Sequence, residues 1–225
     1  MTKETTNVKK LKLLFIGLVM LVLFAVWTVL VQCIDVHAIG PESSCVGFAR
    51  LNGFVHKLTG VNMAWYNATD WLSIIPLCFI LGFAVLGLVQ LIKRKSLFKV
   101  DASILLLGVF YIAVMAGYIL FEFYAVNYRP VLINGILEVS YPSSTTLLVL
   151  CVMPTAVLQL RSRIKNHRVK NIVTFVICAF TAFMVMGRII SGVHWFTDII
   201  GGVFLSVGLV LIYYSLVKLA ENIAK

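Results

Sequence analysis

The sequence predicts an all-α, polytopic membrane protein, a bundle of six transmembrane helices with both termini cytoplasmic. Three observations carry that expectation. The 225-residue chain is 61% hydrophobic and only 12% charged, whereas soluble domains are about 45–50% apolar and about 25% charged. Its apolar residues are gathered into runs near the length of about 20 residues that crosses hydrocarbon. Its basic residues fall on one side of those runs. With the N-terminus inside, residues 1–12, 93–99, 161–170 and the C-terminal end hold 4, 4, 5 and 2 Lys or Arg, 15 of the 19, and only Arg50, Lys57, Arg129 and Arg188 lie outside. That asymmetry is what orients membrane proteins. Attraction of the basic loops to anionic lipid accounts for the net charge of +10, so the expected partner is the bilayer and not nucleic acid.

The spans are expected at about 13–31, 71–92, 102–125, 145–160, 171–190 and 196–217, within a single membrane domain. The first follows Lys9, Lys10 and Lys12 as a signal peptide would. It is longer than the 7–15 residues of a signal core, and no small-x-small cleavage site follows it, so it reads as a retained helix. The fourth is short, and its helix is expected to start inside the polar stretch before it. Residues 32–70 form a long outer segment with Trp65, Tyr66 and Trp71, suited to an interfacial helix in the headgroup layer or to a lid. Cys78, Cys151 and Cys178 fall in spans as small apolar side chains. Cys33 and Cys45 share the outer segment, where a disulfide is open to them. No Cys-x-x-Cys or similar metal spacing occurs, and neither metal nor cofactor is expected.

This topology gathers three polar stretches at the outer ends of the third to sixth spans. They are "EFYAVNYRP" (122–130), "YPSSTT" (141–146) and "GRIISGVHWFTD" (187–198). Ionisable groups at the edge of a span are costly and mark functional candidates. His194 and Asp198 are four apart, and a helix starting near His194 puts them on one face. The carboxylate then accepts one imidazole N–H and leaves the other nitrogen free as a nucleophile or base. Arg129 and Arg188 offer forked donors for phosphate oxygens. Hydroxyls of Ser143, Ser144 and Thr145, with the N–H groups that open the fourth helix, complete an anion site. Gly192 allows the tight turn before His194.

In these residues the chain resembles the type 2 phosphatidic acid phosphatase (PAP2) family, whose pattern is Lys-x6-Arg-Pro, Pro-Ser-Gly-His and Ser-Arg-x5-His-x3-Asp. Arg129 and Pro130 match the first motif, Pro142 and Ser143 the second, and Arg188, His194 and Asp198 the third with both spacings intact. The resemblance implies a metal-independent lipid phosphatase. His194 would become a phosphohistidine, oriented by Asp198, while Arg129, Arg188, Ser143 and the N–H of Ser144 would hold the phosphoryl oxygens. Glu122 stands where the family has lysine, and Thr145 where it has the histidine that protonates the leaving group. Gly187 replaces serine and Ser144 replaces glycine.

Losing the acid penalises alkoxide leaving groups most, so a polyprenyl diphosphate is the favoured substrate. Glu122 is the candidate replacement acid, since a carboxyl in a poorly solvated pocket holds its proton more tightly. Two alternatives stay open. One is a lipid phosphotransferase of the sphingomyelin synthase type, and the other is an inactive lipid-binding or transport protein. The expected setting is a bacterial plasma membrane with the active face outward.

Overall fold

The computed structural model of the protein describes residues 3–223. Eight helices account for most of them: α1 (Lys3–Cys33), α2 (Ala49–Thr59), α3 (Met63–Leu72), α4 (Ile74–Arg94), α5 (Ala102–Phe123), α6 (Ser144–Arg163), α7 (His167–Ser191) and α8 (Phe196–Ile223). Six stretches are long and apolar enough to cross a bilayer, at Lys10–Cys33, Met63–Arg94, Ala102–Phe123, Ser144–Arg163, His167–Ser191 and Phe196–Glu221. The second is longer than the sequence suggests, because α3 runs into α4 with only Ser73 between them. The fourth begins at Ser144. Its twenty residues rise about 30 Å, one hydrocarbon thickness.

Helix α6 is the centre of the bundle. Of its spanning stretch 56% is buried, against 11–22% for the stretches containing α1, α4, α5 and α7, and 44% for α8. Those outer helices leave Val22, Leu81, Ile112, Phe175 and similar side chains exposed, as lipid-facing surfaces do. Helix α1 lies along α8 through two glycines. A Cβ on Gly17 would sit 2.9 Å from Ile212 Cγ1, and one on Gly208 would sit 2.7 Å from Leu21 Cδ2. Small residues let helix backbones approach where lipid supplies no hydrophobic drive. At one end of the bundle, Asp101 ties helices together by accepting from Gln90 (2.8 Å) and Arg94 (2.9 Å).

At the other end, the segment 34–72 folds down onto the connectors. Asn52 is fully buried, donating to Thr197 Oγ1 at 2.9 Å and accepting from Thr197 N–H at 3.2 Å. Asn62 N–H donates to Ser191 carbonyl at 2.9 Å, and the Asn62 side chain caps α3. Cys33 and Cys45 are both exposed free thiols here, so the structure does not form the disulfide left open to them. Residues 124–143 cross this end as an irregular hairpin, with isolated bridges pairing Tyr128 to Val139 and Ile133 to Ile136.

Candidate active site

The hairpin sets the first part of the site. In an extended strand alternate residues share a face. Asn127 and Arg129 on one arm therefore look the same way as Ser140 and Glu138 on the other. Arg129 N–H donates to Glu138 carbonyl at 3.0 Å, and Ser140 N–H to Asn127 carbonyl at 2.9 Å, which fixes that register. Behind it, Trp195 Nε1 donates to Tyr128 carbonyl at 2.8 Å.

The second part is the turn between α7 and α8. Gly192 ends α7 with φ 64°, and a Cβ there would overlap the Gly60 carbonyl oxygen. Only glycine meets both demands. His194 then sits two residues ahead of α8, which begins at Phe196. The expected sharing of one helical face by His194 and Asp198 is thus corrected: the histidine lies in the connector, and Asp198 in the first turn of the helix. Asp198 Oδ2 accepts from Trp195 N–H at 3.0 Å, closing that first turn.

The expected direct bond from Asp198 to the imidazole is corrected as well. Asp198 Oδ2 is 4.0 Å from His194 Nδ1, beyond hydrogen-bond reach. Ser140 stands between them. Its hydroxyl donates a short bond to Asp198 Oδ2 and lies 3.1 Å from His194 Nδ1, and its carbonyl oxygen is also 3.1 Å from Nδ1. Asn127 Nδ2 donates to Asp198 Oδ1 at 2.9 Å. A carbonyl only accepts, so Nδ1 carries the proton. Nε2 then keeps its lone pair and faces Arg129 Nη1 at 3.2 Å. Burial, and then the charges of Arg129 and Arg188, hold the His194 pKa well below the ordinary imidazole value. The ring is neutral and single-tautomered, with its lone pair at Nε2.

A cavity of about 240 Å³ opens beside this ring, lined by His194, Arg129, Glu122, Glu138, Tyr118 and Ser144 among others. Ser144 is the first residue of α6, whose first-turn N–H groups lack helical partners and favour an anion. Two expected phosphate ligands are placed otherwise. Ser143 is fully buried, its N–H donating to Asp198 carbonyl and its hydroxyl accepting from Thr146. Thr145 turns its hydroxyl to Arg188 Nη2 in a short bond. Neither lines the cavity. In each case a neighbouring polar group needs that hydroxyl once water is excluded.

Arg188, a third expected phosphate ligand, is almost wholly enclosed and does not line the cavity either. Its Nη2 lies 3.3 Å from Asp70 Oδ1, while Nε and Nη1 are buried without partners. Tyr66 lies beneath both guanidiniums, its ring centre 5.0 Å from Arg188 Cζ and 5.8 Å from Arg129 Cζ. Arg129 Nε makes a 2.9 Å ion pair with Glu138 Oε2, with the N–H not aimed at that oxygen. Of the other histidines, His56 packs on the Trp195 ring at 5.5 Å and His37 pairs with Asp35. Neither lines the cavity.

Sequence reasoning missed Ser140, Asn127, Glu138, Asp70 and Tyr66. Ser140 and Glu138 had one faint signal, their alternation ahead of Pro142; Asp70 and Tyr66 had none.

A family model described as the PAP2 superfamily matches residues 106–221, which include the hairpin, the start of α6 and the α7–α8 turn. The chain belongs to the PAP2 superfamily. Among solved structures it is similar to a transmembrane PAP2-type phosphatidylglycerolphosphate phosphatase from Bacillus subtilis. That likeness has a TM-score of 0.62 at 18% identity and covers 93% of this chain and 97% of that one. No curated protein matches the chain. Against the PAP2 pattern, the glycine at 187 has a local cause. A Cβ there would fall 2.5 Å from Thr69 Cγ2, because α3 lies directly against α7.

Proposed function

We propose that this PAP2 membrane protein cleaves a phosphate ester of a membrane lipid through a phosphohistidine formed at His194. The observation that carries the reading is the imidazole itself, its Nδ1–H held by Ser140, its Nε2 accepting from Arg129 and its ring lining the cavity. Nε2 bonds to phosphorus as the bond to the lipid oxygen breaks, and that oxygen takes a proton. Water then cleaves the P–N bond, releasing phosphate together with any headgroup esterified to it and restoring the neutral ring. Asp198, acting through Ser140, stabilises the imidazolium that develops. Arg129 and the α6 N-terminus receive the phosphoryl oxygens, and Arg188, which does not line the cavity, adds its positive charge from behind Thr145 and Tyr66. A pure binding protein has no use for a ring so held.

Thr145, whose oxygen accepts from Arg188, does not line the cavity and so is not placed to protonate the leaving group. Glu122, on the cavity wall, is the proton donor in this reading. The missing histidine favours a diphosphate lipid, whose leaving group needs no acid. Charge weighs the other way. Two guanidiniums stand among four carboxylates, Glu122, Glu138, Asp70 and Asp198, so a lipid bearing one phosphate of low charge fits better than a polyprenyl diphosphate. The distribution of basic loops supports a cavity that faces outward.

The test is to quench the purified protein during turnover of lipid phosphates labelled with ³²P. An acid-labile, base-stable label is expected on the wild type and not on His194→Ala. Turnover surviving in that variant defeats the reading. Glu122→Gln should lower turnover of lipids with an alkoxide leaving group; unchanged turnover excludes Glu122 as the acid.

A further inference from the structure

We infer that the cavity is built for a zwitterionic headgroup, a phosphate ester that also carries an ammonium group. This rests on the proposed function and names its substrate class. The starting point is the ion pair between Arg129 and Glu138, which occupies the wall where a phosphate must bind. The two partners are unequally placed: the Arg129 side chain is 9% exposed and that of Glu138 40%. The guanidinium therefore lies deep, beside His194 Nε2, and the carboxylate nearer the mouth.

A phosphate attacked by Nε2 takes Arg129 as its counter-ion. Glu138 is then left without its cation, on the same wall as Glu122. With its side chain 40% exposed, Glu138 keeps part of its hydration, but its charge is left unbalanced and attracts a cation placed beside it. A bare phosphate monoester, or a diphosphate, leaves that charge standing. A headgroup with phosphate at one end and ammonium at the other does not, since it exchanges one ion pair for two. The remaining wall suits a cation. Tyr118 and Phe121 contribute aromatic rings, and aromatic faces attract ammonium groups. Tyr118 and Glu122 are four residues apart on α5 and so share its face.

Phosphoethanolamine and glycerol 3-phosphate, as soluble probes, separate this from simple phosphate recognition. Binding to the detergent-purified full chain is measured by calorimetry. Phosphoethanolamine should bind about tenfold or more tightly than glycerol 3-phosphate, the worth of a charge-assisted bond. Glu138→Gln should erase the difference, while Glu138→Asp, which keeps the charge, should retain most of it. In nanodiscs, lipids with the ethanolamine headgroup should compete with a labelled lipid phosphate better than those with glycerol. Competition only by soluble phosphoethanolamine assigns the site to a free ester. Equal binding of both probes by the wild type, or equal weakening of both by Glu138→Gln, overturns the inference. Phosphohistidine labelling at His194 is read separately, so a failed headgroup preference is distinguishable from a failed mechanism.

Discussion

Replacing Ser140 by alanine isolates the serine hydroxyl from the rest of the catalytic chain. The substitution removes the donor to Asp198 Oδ2 and the oxygen 3.1 Å from His194 Nδ1. It leaves the Ser140 carbonyl, also 3.1 Å from Nδ1, in place, so the tautomer and the ring orientation survive. What is lost is one hydrogen bond to a buried carboxylate, and with it the link from that carboxylate to the imidazolium. Such bonds are worth about 1.5–3 kcal/mol. At about 1.36 kcal/mol per decade of rate, kcat should fall about 10- to 150-fold. The charge on the ring develops only after attack begins, so KM should hardly move. The assay is phosphate release from a lipid phosphate in detergent micelles, with the phosphohistidine level at steady state as a second readout. Formation of the intermediate should slow, and its fraction should fall. Wild-type kcat in Ser140→Ala refutes the chain, because Asp198 would then act without the serine. Activity as low as in His194→Ala refutes it too, because the carbonyl alone would not be holding the ring.

Four further outcomes follow from the same geometry. His194 should stay neutral well below pH 6.5, putting the acidic limb of kcat/KM below that value. Arg129→Gln removes one of the charges that depress the imidazole and should move the limb upward; a limb that stays put contradicts the assignment. Because the unfolded chain takes up this proton first, native stability should decline as pH falls below about 6.5, and His194→Gln should flatten that decline in chemical denaturation. Tyr66→Leu removes the ring beneath both guanidiniums, and at about 0.5–2 kcal/mol should raise KM about two- to thirtyfold with little change in kcat. Gly187→Ser, which restores the family residue, should lower the thermal midpoint in detergent by crowding Thr69, and Thr69→Ala should recover it.

What was legible in the sequence, and what was not, divides along a physical line. The spans were readable because twenty apolar residues have one use in a chain this poor in charge. Arg188, His194 and Asp198 were readable because their spacing lies within one stretch and local geometry carries it. Even there, the spacing misled about contact. Four residues apart implies a shared helical face only when both residues are helical, and Gly192 with its positive φ delays α8 until Phe196. The partners of the site residues were illegible for a related reason. Ser140 meets Asp198 across 58 positions, and Arg188 meets Asp70 across 118. No periodicity connects such pairs. The same remoteness clarifies the two departures from the family pattern. Read along the chain, Glu122 and Thr145 look like losses from a phosphate site. Read in space, Thr145 is a ligand of Arg188, and Glu122 is one of two glutamates on a single cavity wall. A decayed site would leave its arginines free or its cavity closed. Here each arginine has been given its own carboxylate, Glu138 or Asp70, and His194 keeps its buried chain of partners. That pattern supports the proposed change in the charge the site accepts, with the imidazole still held as the proposed nucleophile.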